Sequence, residues 1–407
     1  MTIQDYAHSL LQLINSVFQR EKIAGGLLGI VQGPLTITYR IGLMDPTRAQ
    51  IKAITDMGDV FQAKMLVESC RIQMAKGVLE ITVPVPEQFI CTPTAADMRA
   101  GTEGLDACIG WNMYGEAATV DLTQHGAVFW VGPSRRGKTQ SMRSTLFALA
   151  RSYGPLLRYA IICQPAPSKL ADWAPFDKSK HSMGILTDTE EINTAVKWLA
   201  WRTQVGVGAF KFVLVIDDLP SILARCDIEE PLATVASVGA GVGIHLLAGT
   251  QTAGSKQGSG GEVIESNITA RVLYKPASKA TAARNAGEGG LDLDQLSTIK
   301  GDALLLIDGH KERIATSLAL DEEIARLPQG RVDHMYRPWN RVDQVSREVK
   351  TIAAVTAVTD QAVTRVVTEP VTDAEQGDLQ EKIEENGDVT TCNRLQVVTD
   401  GKLNNFT

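Results

Sequence analysis

The chain has 407 residues, enough for two or three domains with cores of their own. Its 44% hydrophobic and 21% charged residues are those of an ordinary globular protein and exclude a disordered or fibrous chain. A formal net charge of -7 excludes a generally basic outer surface, so any nucleic-acid contact would be confined to a local surface such as a pore.

In chain order, residues 1–32 read as an N-terminal helical segment. Over 6–20, Leu10, Leu13, Ile14, Val17 and Phe18 fall on one face of a helix. The face is short and its basic flank thin, which points to docking on the next domain rather than to a membrane surface. The N-terminus has no signal-peptide pattern, and no apolar stretch of about 20 residues is present to span a bilayer. Residues 33–119 read as a small α/β domain, with a strand over 36–41, a helix over 56–70, and strands over 70–74 and 79–83 ended by Pro84 and Pro86. A polar, proline-bearing connection follows over 87–104.

Over 120–330 short apolar strands alternate with helices. The strands are expected at 127–131, 159–163, 212–216, 244–248, 271–274 and 303–307. This alternation predicts an α/β fold whose mostly parallel sheet carries helices on both faces. Residues 331–407 read as a linker and a flexible acidic tail. Val-Thr-acid steps (Val358, Thr359, Asp360; Val367, Thr368, Glu369; Val371, Thr372, Asp373) precede the acids Glu375, Asp378, Glu381, Glu384, Glu385 and Asp388. Residues 387–407 are too short to complete a helix-turn-helix. The six cysteines are scattered, with no CxxC pair and no zinc-ligand spacing, and are expected as free thiols in a reducing cytoplasm.

The strongest motif is Gly132, Pro133, Ser134, Arg135, Arg136, Gly137, Lys138 and Thr139, a GxxxxGK[ST] run between an apolar strand and a helix that Gln140 continues. The glycines let the loop curl so that successive N–H groups point at phosphate oxygens, beside a helix N-terminus that favours anions. Lys138 would supply charge to the β and γ phosphates of ATP, and the Thr139 hydroxyl would reach Mg²⁺. The second motif is an apolar strand over 212–216 that ends in Asp217 and Asp218. Asp217 would hold Mg²⁺ and Asp218 would orient or deprotonate the attacking water. The third is a strand that runs from Gly243 to Thr250 and Gln251, where Gln251 would sense the γ phosphate. His245 within it reads as a structural histidine.

In this order, the three motifs and their surroundings resemble the motor domain of the FtsK/SpoIIIE DNA translocases, in the FtsK–HerA branch of P-loop ATPases. Other segments carry the likeness: Gly33 and Pro34; Cys70 to Gln73; Ile81 to Pro84; Ile109, Gly110, Tyr114, Gly115 and Glu116; Val120 to Leu122; Thr187 and Asp188 with Trp198; Asn267, Ile268, Arg271 and Val272; Ser278 and Lys279; Gly301 and Asp302. It covers about residues 33–322. The resemblance implies a RecA-like core and ATP hydrolysis with Mg²⁺. It also implies double-stranded DNA as partner and a homo-oligomeric ring, a hexamer, with each site at a subunit interface. An arginine from the neighbour, Arg271 or Arg284, would act on the γ phosphate. The glycine-rich stretch 252–261, with Lys256, is the candidate pore contact.

The sequence departs from the family where Thr252 and Ala253 replace Arg-Pro, where Arg284 falls one residue late, and where Asp218 replaces the commoner glutamate. The resemblance points to a cytoplasmic motor of a plasmid, prophage or conjugative element, with any membrane or protein tether supplied by a partner. A protein-secretion motor of the same superfamily, or an ATP-binding scaffold with weak hydrolysis, are the alternatives.

Overall fold

The computed structural model describes residues 2–90, 94, 105–206, 210–251, 264, 267–278, 293, 296–330 and 337–340. The stretch 252–261 with Lys256, Lys279, Arg284, the acidic tail and residues 387–407 lie outside them. The described residues up to 330 belong to one unit; residues 337–340, with a 3-10 turn at Pro338–Asn340, belong to another.

The chain opens with α1 (Ile3–Arg20), whose first turn is closed by a reciprocal capping box between Thr2 and Asp5. Ala7, Leu10, Ile14, Val17 and Phe18 form its buried face. That face packs into one core with Tyr39, Ile41, Phe61, Leu79 and Ile81. At roughly 1.5–3 kcal/mol per buried large aliphatic or aromatic side chain, this contact is what holds the helix in place. The Tyr39 hydroxyl, taken into the core, donates to the Ala7 carbonyl at 2.8 Å. Beneath the helix lies a four-stranded antiparallel sheet in the order β1-β2-β4-β3, made of β1 (Gly25–Gln32), β2 (Thr36–Leu43), β3 (Arg71–Ala75) and β4 (Val78–Pro84).

Two features differ from the sequence reading. The helix expected over 56–70 is shorter, α3 (Gly58–Met65), ended by Leu66 in the left-handed region at φ 55°, and it is preceded by an unexpected helix, α2 (Arg48–Thr55). Strand β1 was not expected, because three glycines interrupt its apolar alternation. Since α1 and β1 share the core and sheet of 33–86, the segment 1–32 is part of that layer.

The second sheet has ten strands in the order β6-β5-β14-β13-β12-β7-β11-β10-β8-β9. They are β5 (Asp106–Asn112), β6 (Ala117–Asp121), β7 (Ala127–Val131), β8 (Leu157–Ile162), β9 (Ser182–Leu186), β10 (Lys211–Ile216), β11 (Ile244–Thr250), β12 (Ala270–Tyr274), β13 (Asp302–Ile307) and β14 (His310–Thr316). Every pairing from β9 through to β12 is parallel. From β12 outward to β6 all are antiparallel. The fold is therefore the expected α/β type with a mostly parallel core. The boundary placed at 119/120 falls within β6, because β5 and β6 extend the large sheet through β14.

The remaining helices among the described residues are α4 (Leu122–His125), α5 (Lys138–Tyr153), α6 (Pro167–Asp177), α7 (Thr189–Val205), α8 (Leu219–Leu223), α9 (Glu229–Val238) and α10 (Asp321–Ile324). Helix α5 is buried from Ser141 to Ala150, so its polar side chains must find partners inside. Ser141 accepts from the Trp130 indole at 2.8 Å, Thr145 donates to the Cys108 carbonyl at 3.2 Å, and Arg143 pairs with Asp321 at the start of α10. The four described cysteines, Cys70, Cys108, Cys163 and Cys226, are buried free thiols. No helix among the described residues is long and apolar enough to cross a membrane.

Candidate active site

Strand β11 lies between β7 and β10, so the loops that leave β7, β10, β11 and β8 all open at one edge of the sheet. In parallel sheets that edge, outside the carboxyl ends of the strands, is where ligands bind. A cavity of about 310 Å³ opens there. It brings together Ser134, Arg135, Gly137, Lys138, Thr139 and Gln140 from the loop and α5, Asp217 and Asp218 after β10, and Gln251 after β11.

The loop takes its shape from two glycines and its supports. At Gly132 a Cβ would come within 2.7 Å of the Tyr274 Cβ, so only glycine allows the loop to press on β12. Gly137, at φ 106°, turns the chain into α5. The Arg136 guanidinium points out of the cavity and donates to the Thr298 carbonyl at 2.6 Å, while the Arg136 carbonyl accepts from the Gly301 N–H at 3.1 Å. Gly132, Pro133 and Arg136 thus shape the loop without lining the cavity. The turn that supports them is itself anchored, because buried Asp302 receives two hydrogen bonds from Arg313, at 2.9 and 2.7 Å, and a third from the Ser297 N–H at 2.6 Å.

Lys138 folds back over the loop, its Nζ donating to the Gly132 and Pro133 carbonyls at 2.6 and 2.9 Å. Burial pushes its pKa down to about 8, against the pull of Asp217. The Thr139 hydroxyl lies 3.2 and 3.3 Å from the two Asp217 carboxylate oxygens. Asp217 is 3% exposed and also accepts from Lys169 Nζ at 2.9 Å and from the Trp173 indole at 3.2 Å. A hydroxyl and a carboxylate that converge beside a phosphate cradle fit Mg²⁺, which takes one or two protein oxygens and completes its shell with phosphates and water. Lys169 shows that this place holds positive charge.

Asp218 sits in the left-handed region at φ 72°. Its carboxylate accepts from Gln164 at 3.0 Å and from the Ser221 hydroxyl at 2.6 Å. The backbone explains the residue type, since aspartate adopts this conformation more readily than glutamate. Gln251 is exposed at the cavity's mouth. Arg271, half-buried on β12, donates to the Ile268 carbonyl at 3.3 Å and does not line its own chain's cavity. His245 is fully buried on β11, with its ring nitrogens near the backbone of Leu122 and Gly126 but outside hydrogen-bond geometry. Burial, and then Lys211 nearby, push its pKa down to about 4, so it is neutral and structural.

The motifs did not pick out Lys169, Asp172, Gln164 or Lys300, of which Lys169, Asp172 and Lys300 line the cavity. Burial raises the pKa of Asp172. For Lys169, Asp217 outweighs burial and holds the ammonium above the ordinary lysine range. A usable signal existed for three of them. Gln164, Lys169 and Asp172 follow β8, which neighbours the Asp217 strand, so that connection had to open at the same edge.

Fold and site together define a P-loop ATPase architecture. No family model matches the chain. Among curated proteins it is similar to the DNA translocase SftA of Bacillus subtilis, 22% identical over 358 residues that cover 78% of this chain and 36% of SftA. It is also similar to the DNA translocase FtsK of Helicobacter pylori strain ATCC 700392, 21% identical over 355 residues, 78% of this chain and 40% of that protein. The chain thus matches about two-fifths of the length of these relatives or less. Among solved structures the pCW3 conjugation coupling protein TcpA, in its monomer form with ATPγS, shares the fold at a TM-score of 0.52 and 15% identity, over 74% of this chain and 90% of that one. Its curated relatives are DNA translocases, the kind of protein that its motifs resemble.

Proposed function

We propose that the chain is the ATP-hydrolysing motor of a double-stranded DNA translocase. The observation that carries this reading is the likeness to DNA translocases over 78% of the chain, far more than a phosphate-binding loop that unrelated NTPases share. Lys138 would leave the Gly132 and Pro133 carbonyls for the β and γ phosphates of ATP. Asp218, aimed by Gln164 and Ser221, would orient the attacking water, and Gln251 would register the γ phosphate. Mg²⁺, held by Thr139 and Asp217, would neutralise charge on the phosphate oxygens.

The assembly in this reading is a homo-oligomeric ring, a hexamer, in the cytoplasm. Arg271 or Arg284 of one subunit would act on a neighbour's nucleotide. The TcpA likeness favours a conjugative or plasmid setting for the motor. The test is ATPase activity with and without long duplex DNA at low salt. Duplex should stimulate more than an equal mass of single strands, without sequence preference, and the stimulation should fall as salt rises. An ATPase indifferent to duplex DNA but stimulated by a polypeptide would overturn the reading in favour of a secretion motor.

A further inference from the structure

Neither the GxxxxGK[ST] run nor the strand ending in Asp217 and Asp218 calls for Lys169, yet it reaches the centre of the site. It stands on α6, and its Nζ lies 2.9 Å from Asp217 Oδ2 and 3.3 Å from Thr139 Oγ1. Those are the two side chains whose chemistry fits the metal. A magnesium ion at the Thr139 hydroxyl requires space about 2.0–2.1 Å from that oxygen and a shell of water beyond it. An ammonium 3.3 Å from the same oxygen occupies that shell. Two cations so close, with one carboxylate between them, repel strongly.

Lys169 also has somewhere to go. Asp172 lies three residues further along α6, hence on the same face, and lines the same cavity. With 29% of its side chain exposed, Lys169 is not sealed into its place against Asp217.

We propose that Lys169 is a resident counter-cation of the metal site, which holds Thr139 and Asp217 in place and gives way when the metal–nucleotide complex loads. It is a positioning residue, and it sets how strongly nucleotide binding depends on the metal. Without metal, the ammonium compensates Asp217 and lets an anionic phosphate approach; with metal, it must be expelled. The inference rests on the nucleotide-site reading above.

The test is calorimetric titration of the full chain with ADP in Mg²⁺ and with ADP in EDTA. In Lys169→Met and Lys169→Gln, the ratio of metal-bound to metal-free affinity should rise by about tenfold over the wild type. Lys169→Arg should keep the wild-type ratio to within about threefold, since the charge remains. A purely structural role would lower both affinities together and leave the ratio unchanged. An unchanged or reduced ratio in the two neutral variants, checked for folding by thermal melting, would overturn the proposal. A wild type that binds neither form of ADP would overturn the nucleotide-site reading itself.

Discussion

The two halves of the ten-stranded sheet divide the work between them. The parallel half, from β9 to β12, sends its loops to one edge and supplies nearly every polar group of the cavity. The antiparallel half, from β13 to β6, contributes little chemistry but grips the phosphate loop from the side, through Thr298 and Gly301 on Arg136. The grip is fastened by the Arg313–Asp302 pair, buried at 5% and 2% exposure. One half can thus be tuned for reaction while the other keeps its frame.

Substitutions can break this division. The largest effect belongs to the parallel half. Lys138→Ala should lower phosphate release by about a thousandfold or more, roughly 4 kcal/mol, with the melting temperature nearly unchanged. Asp218→Asn should keep nucleotide binding while losing turnover. Wild-type turnover in Lys138→Ala would refute the assignment of the edge as the active site; in Asp218→Asn it would reduce Asp218 to a cap or a structural acid.

In the antiparallel half the expected loss is stability. Arg313→Ala leaves Asp302 buried without its partner, which costs about 3–5 kcal/mol. Urea unfolding would show it as a lower midpoint, and a change under about 1 kcal/mol would mean that the clamp is not anchored there.

The smallest effect sharpens the comparison within the parallel half. His245 has a folded pKa of about 4 against an ordinary 6.5, so the unfolded chain takes up the proton first as pH falls. Stability from this group is full above 6.5 and drains towards pH 4, by about 3 kcal/mol in all. Replacement by leucine should flatten the acid limb of a stability–pH curve; an unchanged limb would show that other groups govern it.

Much of the cavity's lining was legible before the fold. The phosphate loop, Asp217, Asp218 and Gln251 announce themselves because each ends an apolar strand, and strand ends in a parallel sheet share an edge. What escaped were elements whose local pattern is weak. Strand β9 is five residues with a glycine in the middle, and β1 carries three glycines. Strands β5 and β14 meet only across two hundred residues of chain, as the Asn112–Glu312 hydrogen bond shows. Lys169 escaped because its partners, Thr139 and Asp217, come from other segments. Asp218 looked like a shortened glutamate, and only its left-handed backbone gives the substitution a physical reason.

The hydrogen bond between the Trp173 indole and Asp217 has an optical consequence. A buried indole whose N–H meets a carboxylate emits at a wavelength set by the local field, and any cation that arrives at Asp217 changes that field. Trp173 is fully buried, so water does not mask the change. The chain therefore carries its own fluorophore beside Asp217, and the change in stopped-flow emission that Trp173→Phe removes would time cation arrival without a label.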